Sequence, residues 1–181
     1  TSPDFGCLPI KTPGTGANYL TELTMGASVN HSHLFFDVLW INSGLTVTTT
    51  TAQSITTPTL PARDVNGTTD GEGLMIGLMF TAAATNAAAI ANSTVSYTNS
   101  EGTSGRTATL SAIAGSQIPA TPVIGTMVWF NLQAGDKGVR SIQSITLATS
   151  LVTGSISLFI ARDLANIGTS LVNVQFTRKL S

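Results

Sequence analysis

Charge is the scarcest commodity in this chain. Asp, Glu, Lys and Arg make up 9% of its 181 residues, against about 25% in ordinary soluble domains. A surface kept in solution by the mutual repulsion of its charges is not what such a sequence encodes. Threonine and serine take the place of the missing charges, at 29 and 18 residues. Neutral polar surface costs less to dehydrate than charged surface, so this composition suits faces that neighbouring molecules cover. A secreted or surface β domain rich in neutral polar residues fits it as well.

Other absences narrow the field. The lone cysteine, Cys7, excludes an internal disulfide framework and leaves no redox or zinc spacing. No apolar run reaches the roughly 18 residues that cross a bilayer. Residues 1–16 have no basic end followed by a hydrophobic stretch, as a secretory signal would. Folding in a reducing cytoplasm, with no membrane partner, is the expectation. The densest basic pair is Arg178-Lys179 and the net charge is −1, which argues against nucleic acid, since phosphate binding needs concentrated positive charge. Aromatic residues, at 6%, are thin for a sugar-stacking cleft.

What is present is apolar and β-forming. Hydrophobic residues make up 42% of the chain, enough for a sizeable core, and the length is near the about 150 residues of one domain. Pro3, Pro9 and Pro13, with glycines at 6, 14 and 16, predict an extended arm over 1–30, because proline removes ladder donors and fixes φ. Residues 21–29 fit a strand or a short helix. The run 34–41 (LFFDVLWI) fits a buried strand. Residues 45–55 are mostly β-branched and read as a strand. Further strands are expected at 73–82, 91–99, 105–113, 125–133, 138–149 and 154–161. The clearest alternation sets Ile156, Leu158 and Ile160 against Ser155 and Ser157; another sets Val128, Phe130 and Leu132 against Thr126 and Asn131, although Met127 and Trp129 load the second face too. The Ala-rich stretch 82–91 fits a helical turn or a small-residue loop. A break is expected over 163–168, then a last strand-like stretch at 171–176. Short strands with turns between them predict an all-β fold, an antiparallel β-sandwich or jelly roll over 31–163, with extended arms at 1–30 and 164–181.

Each chemical motif has a simpler structural counterpart. His31, His33 and Asp37 share strand parity, yet two polar residues at a turn before a strand explain them better than a metal. The loop 63–73 (RDVNGTTDGEG) gathers Asp64, Asn66, Asp70 and Glu72. It does not follow the order of an EF-hand, so whether it binds calcium stays open; Asp, Asn and Gly are also what a long loop needs for its turns. Gly71, Gly73 and Gly77 make no dinucleotide fingerprint, and no GxSxG elbow occurs. The sequons at Asn30, Asn66 and Asn92 matter only in a secretory pathway. No catalytic, metal or cofactor residues are assigned, and an enzyme is not expected. Trp40, Trp129, Phe35, Phe36 and Phe130 are expected mainly in the core. Phe5, Leu8 and Ile10, in an arm without a core of its own, are interface candidates, with Phe176 in the tail.

Five blocks in order, 40–53 (WINSGLTVTTTTAQ), 63–67 (RDVNG), 70–78 (DGEGLMIGL), 96–107 (SYTNSEGTSGRT) and 130–147 (FNLQAGDKGVRSIQSITL), resemble a family of small virion proteins of tailed bacteriophages. The resemblance covers roughly the middle two thirds of the chain and offers no catalytic motif. It implies a capsid decoration (cement) protein on the outside of the head shell, made in the host cytoplasm. Its partners would be the major capsid protein and copies of itself, a trimer being favoured. A tail, collar or fibre protein, including a receptor- or glycan-binding module, is the alternative. The arms lie outside the matching blocks.

Overall fold

The computed structural model of the protein describes residues 15, 21–26, 28–29, 31–113, 116–169 and 175–179. Among them are ten strands and no helix: β1 (Glu22–Gly26), β2 (His31–Asn42), β3 (Gln53–Ser54), β4 (Leu74–Ala82), β5 (Thr94–Asn99), β6 (Arg106–Thr109), β7 (Met127–Trp129), β8 (Val139–Thr146), β9 (Ser155–Thr169) and β10 (Gln175–Lys179). The fold is all-β and antiparallel. Contacts divide the chain into two units: Asp37–Asp163, and the described residues up to Phe36 with those from Leu164 onward. Strands β2 and β9 pass through both.

The larger unit is a sandwich of two four-stranded sheets, ordered β2-β9-β4-β7 and β3-β8-β5-β6. Period-2 alternation builds its core. Leu74, Ile76, Leu78 and Phe80 of β4 and Ile156, Leu158 and Ile160 of β9 point inward from the first sheet. Val95 and Tyr97 of β5, Ala108 of β6, and Ile142 and Ile145 of β8 answer from the second. Each fully buried aliphatic side chain of this kind stabilises the fold by about 1.5–3 kcal/mol.

Strand β8 departs from strict alternation for a visible reason. Its register against β5 slips twice, leaving Gln143 and Arg140 without a directly opposed residue. These bulges let Val139, Ile142 and Ile145, three residues apart, all face the core. Beyond the two-residue β3, Thr57 continues the edge: its hydroxyl donates to the Ile142 carbonyl at 3.0 Å and accepts the Ile142 N–H at 2.9 Å.

The outer face of β4 carries Gly77, flanked by Phe159 on β9 and Trp129 on β7. The Phe159 ring lies over the glycine and meets Trp129 edge to face, centroids 5.1 Å apart at 77°. A Cβ on residue 77 would collide with the Phe159 ring. Gly77→Ala is therefore expected to cost about 1–3 kcal/mol, the usual range for overpacking, and to change near-UV dichroism as the aromatic pair is displaced. Unchanged stability and spectrum would show the ring free to move aside.

Several expectations need correction. Residues 45–52 form a loop, with strand only at 53–54; Leu45 and Val47 pack on the core from it, and Gln53 holds the loop by accepting the Thr46 N–H (2.7 Å) and donating to its carbonyl (2.9 Å). The run 34–41 is a strand but not a buried one: β2 is a sheet edge, and Leu34, Val38 and Ile41 are exposed. No break interrupts 163–168, since β9 continues to Thr169 with Ala165 and Ile167 turned inward. Of the two readings of the Ala-rich stretch, the loop is the one found at 83–91, bridged at Ile90 to Ile118.

In the smaller unit β1 pairs with β10. The Thr24 and Thr177 hydroxyls lie 3.0 Å apart. Leu23, Ala165 and Ile167 form a small core there, with Met25, Phe35 and Phe176 partly buried against it.

Candidate functional site

Three loops of the 37–163 unit, 56–73, 99–105 and 131–138, meet at one end of the sandwich, and two carboxylates organise them. Asp64 is 1% exposed. One of its oxygens accepts the N–H of Asn66 (3.0 Å) and of Thr68 (2.6 Å). The other accepts the Thr68 hydroxyl (2.6 Å) and the N–H of Gly71 (3.0 Å) and Glu72 (3.2 Å). Burial alone would raise its pKa, but the hydrogen bonds from the Thr68 hydroxyl and the backbone outweigh it and hold the carboxyl at about 2. Arg162 donates to the Asp64 carbonyl at 3.0 Å.

Asp136 is the second centre, its side chain 3% exposed. Arg106 grips it with two parallel bonds, Nε at 2.9 Å and Nη2 at 2.7 Å. Asn99 donates at 2.8 Å, and the Tyr97 hydroxyl donates too while accepting the Gln133 N–H at 3.0 Å. The Arg106 guanidinium is the largest influence, so the Asp136 carboxyl lies well below the ordinary carboxylate range despite burial. Burial, and then the bond to Asp136, push the Tyr97 phenol up to about 12.

The loops lock together through backbone. Val139 N–H bonds the Gly71 carbonyl (2.9 Å), Gly73 N–H the Lys137 carbonyl (2.8 Å) and Ser100 N–H the Gly138 carbonyl (3.2 Å). Arg140 bonds both Asp70 (2.6 Å) and the Ser100 carbonyl (3.1 Å). An open depression of about 220 Å³, lined by Thr57, Thr59, Leu60, Thr69, Asp70, Arg140 and Ser141, lies beside them.

The carboxylates that the sequence singles out are thus engaged within the protein. In the 64–73 loop Asp64 is saturated, Asp70 pairs with Arg140, and Glu72 accepts from Asn66 at 3.1 Å. Asp37 pairs with Arg63 at 3.4 Å. Among the described residues no three His, Cys, Asp or Glu gather to hold a metal ion. Phe5, Leu8 and Ile10 lie outside the described residues, and Phe176 packs in the smaller unit's own core. Phe130 is in the main core, and Trp40 packs against it.

Because both organising carboxyls are depressed in the fold, their contribution to stability is complete above the unfolded values of about 4 and is lost as pH falls, for Asp64 through about 2 and for Asp136 at still lower pH. Urea midpoints should stay level from pH 7 to about 4.5 and fall steeply below. A loss already complete by pH 5 would assign acid sensitivity to other groups.

The opposite end of the same unit is built differently. Its loops 43–52, 83–93 and 147–154, with the described residues 110–113 and 116–126, contain no charged residue and no aromatic one. They are tied to each other: Ala84 N–H to the Pro122 carbonyl (3.0 Å), Thr121 N–H to the Asn86 carbonyl (3.0 Å) and Leu151 N–H to the Val47 carbonyl (2.9 Å). The Thr85 and Thr153 hydroxyls meet at 2.8 Å, and Ala148 N–H bonds the Ser93 hydroxyl at 3.1 Å. Four large aliphatic side chains stand out from it: Ile113 (73% exposed), Val123 (65%), Val152 (57%) and Ile124 (54%).

Sequence reasoning passed over the Asp136 cluster, whose only linear signal is an isolated Arg in a strand and an Asp in a glycine turn. It also passed over the uncharged end, although long charge-free stretches were its signal. Comparison of the chain with known protein families, curated proteins and solved structures finds no match.

Proposed function

We propose that this chain is a structural protein of a bacteriophage virion, a capsid decoration (cement) protein that binds the outside of the head shell and stabilises it without catalysis. One observation carries the reading: the 37–163 unit holds twelve charged residues, and none of them falls in the four loops that expose aliphatic side chains. Its clustered charges serve its own loops, and its charge-free end suits burial against neighbours, where desolvation costs little. The order in which β2 to β9 cross between the two sheets is how we read a jelly-roll winding, an architecture found in viral capsid domains and also in lectins and cupins. That support is fold-level analogy. The proposed partners are the major capsid protein and further copies of the chain.

A glycan-binding tail or fibre module has less to draw on, because neither end's loops contain an aromatic residue on which a sugar could stack. The deciding experiment adds purified protein to undecorated head shells. The expected result is saturable binding in many copies and a rise in the shell's melting temperature. Absence of both, or a few copies at the tail of the intact particle, would overturn the proposal.

A further inference from the structure

We propose that the uncharged end of the 37–163 unit is the surface through which the chain packs against the same end of a second copy. This deepens the assembly role above and rests on it.

Charge matching selects the occupant. A partner presenting Lys, Arg, Asp or Glu here would bury those charges against loops that have no counter-charge to offer, and an uncompensated buried charge is strongly unfavourable. The fitting partner is equally uncharged and carries aliphatic tips among hydroxyl groups. The same end of a second copy meets both conditions and is self-complementary in the manner of a two-fold contact. With a net charge of −1 for the whole chain, long-range repulsion between copies is slight.

The end is also preformed. Cross-loop hydrogen bonds fix the four loops to one another, so little ordering entropy opposes association. Val152 adds a second sign of purpose. It is β-branched, exposed, and held at φ +67°, a conformation that glycine or asparagine would adopt with far less strain. The Ser150 hydroxyl accepts its N–H at 3.0 Å, keeping the aliphatic tip turned outward at the expense of local backbone energy. Four strands per sheet and two sheets give an end about 20 Å across, a footprint below that of stable specific interfaces and in the weak, transient class. Association through it should be reversible and concentration-dependent.

The test is sedimentation of the full chain over a concentration series, alone and with head shells. The wild type is expected to form oligomers that dissociate on dilution. Ile113→Asp, at an exposed position, should weaken them by about tenfold or more while leaving the melting temperature of the dilute chain unchanged. Val152→Asn should also weaken association, yet raise that melting temperature by relieving the strained backbone, which separates a docking role from a folding one. A wild type that stays monomeric, or oligomers untouched by both variants, overturns the inference. If a monomeric wild type still binds shells and Ile113→Asp abolishes that binding, the occupant is the shell, and only the proposal of a second copy fails. If the wild type neither oligomerises nor binds shells, the assembly role fails with it.

Discussion

Replacing Asp136 by alanine is expected to remove about 3–5 kcal/mol of stability, the range found when one partner of a buried, hydrogen-bonded ion pair is deleted. The reason is what the substitution strands. Arg106 loses both bonds of a bidentate grip, Asn99 loses the acceptor for its amide, and the buried Tyr97 hydroxyl loses the group it donates to. These donors sit on β5 and β6, while Asp136 comes from the loop before β8, so one carboxylate staples that loop onto the β5–β6 hairpin. Urea unfolding followed by far-UV dichroism would measure the loss as a lower midpoint. Asp136→Asn should cost less, since the amide oxygen still accepts, but it cannot satisfy Arg106 twice. A midpoint shift of under about 1 kcal/mol for the alanine variant would place this cluster with ordinary surface ion pairs.

Gly71→Ala is expected to be comparably damaging by a different mechanism. Gly71 has φ +84°, and a Cβ there would fall inside the contact distance of the Val139 carbonyl oxygen. A flexible side chain could turn away from such a clash; a backbone carbonyl in a paired strand cannot. Relief would require separating the 64–73 loop from β8, which breaks the Gly71–Val139 hydrogen bond and disturbs the Asp64 carboxylate that Gly71 N–H also serves. We expect about 3–5 kcal/mol, in the tail of single-substitution effects reserved for strained or overpacked sites. Gly67→Ala is the control. It shares a positive φ, +71°, but its Cβ would meet nothing within 4 Å, so only the roughly 1–2 kcal/mol of left-handed backbone should be lost. Equal effects at the two positions would refute the role assigned to the close approach.

The sandwich was legible wherever a strand keeps strict alternation. Ile156, Leu158 and Ile160, and Val128 with Phe130, point inward as the pattern requires. The pattern was harder to read along β8, where two bulges change the inward spacing from two residues to three, a feature no local propensity encodes. At 45–52 the β-branched threonines look like a strand, yet strand formation needs a neighbour to pair with, and the chain there is turning between sheets. The reading of a break at 163–168 gave weight to Asp163 and Gly168 and overlooked Ala165 and Ile167, which alternate perfectly. The loop rich in Asp, Asn and Gly at 64–73 was recognisable as a turn cluster. Asp64 as its organiser was not, because that depends on which N–H groups converge on one carboxylate. The Asp136 cluster joins residues 30 to 39 positions apart, and no linear window spans them with meaning. The charge-free stretches were visible in the sequence, but only the strand order brings them to one end.

The strand pairings have a consequence for how the chain must be made. β1 pairs with β10, β2 with β9 and β3 with β8, so the partnerships are nested, each earlier strand waiting for a later one. Thr24 faces a residue 153 positions further on. At a synthesis rate of about 5–20 residues per second, β1 waits on the order of 10–30 seconds for its partner to leave the ribosome. During that interval the first half of the chain has its apolar strands and few of the neighbours that will cover them. Pairings this distant in sequence also make spontaneous folding slow, in the millisecond-to-second range rather than microseconds. The sparse charge of the chain offers little protection then, and cellular yield should depend on keeping nascent chains apart until β8, β9 and β10 have emerged.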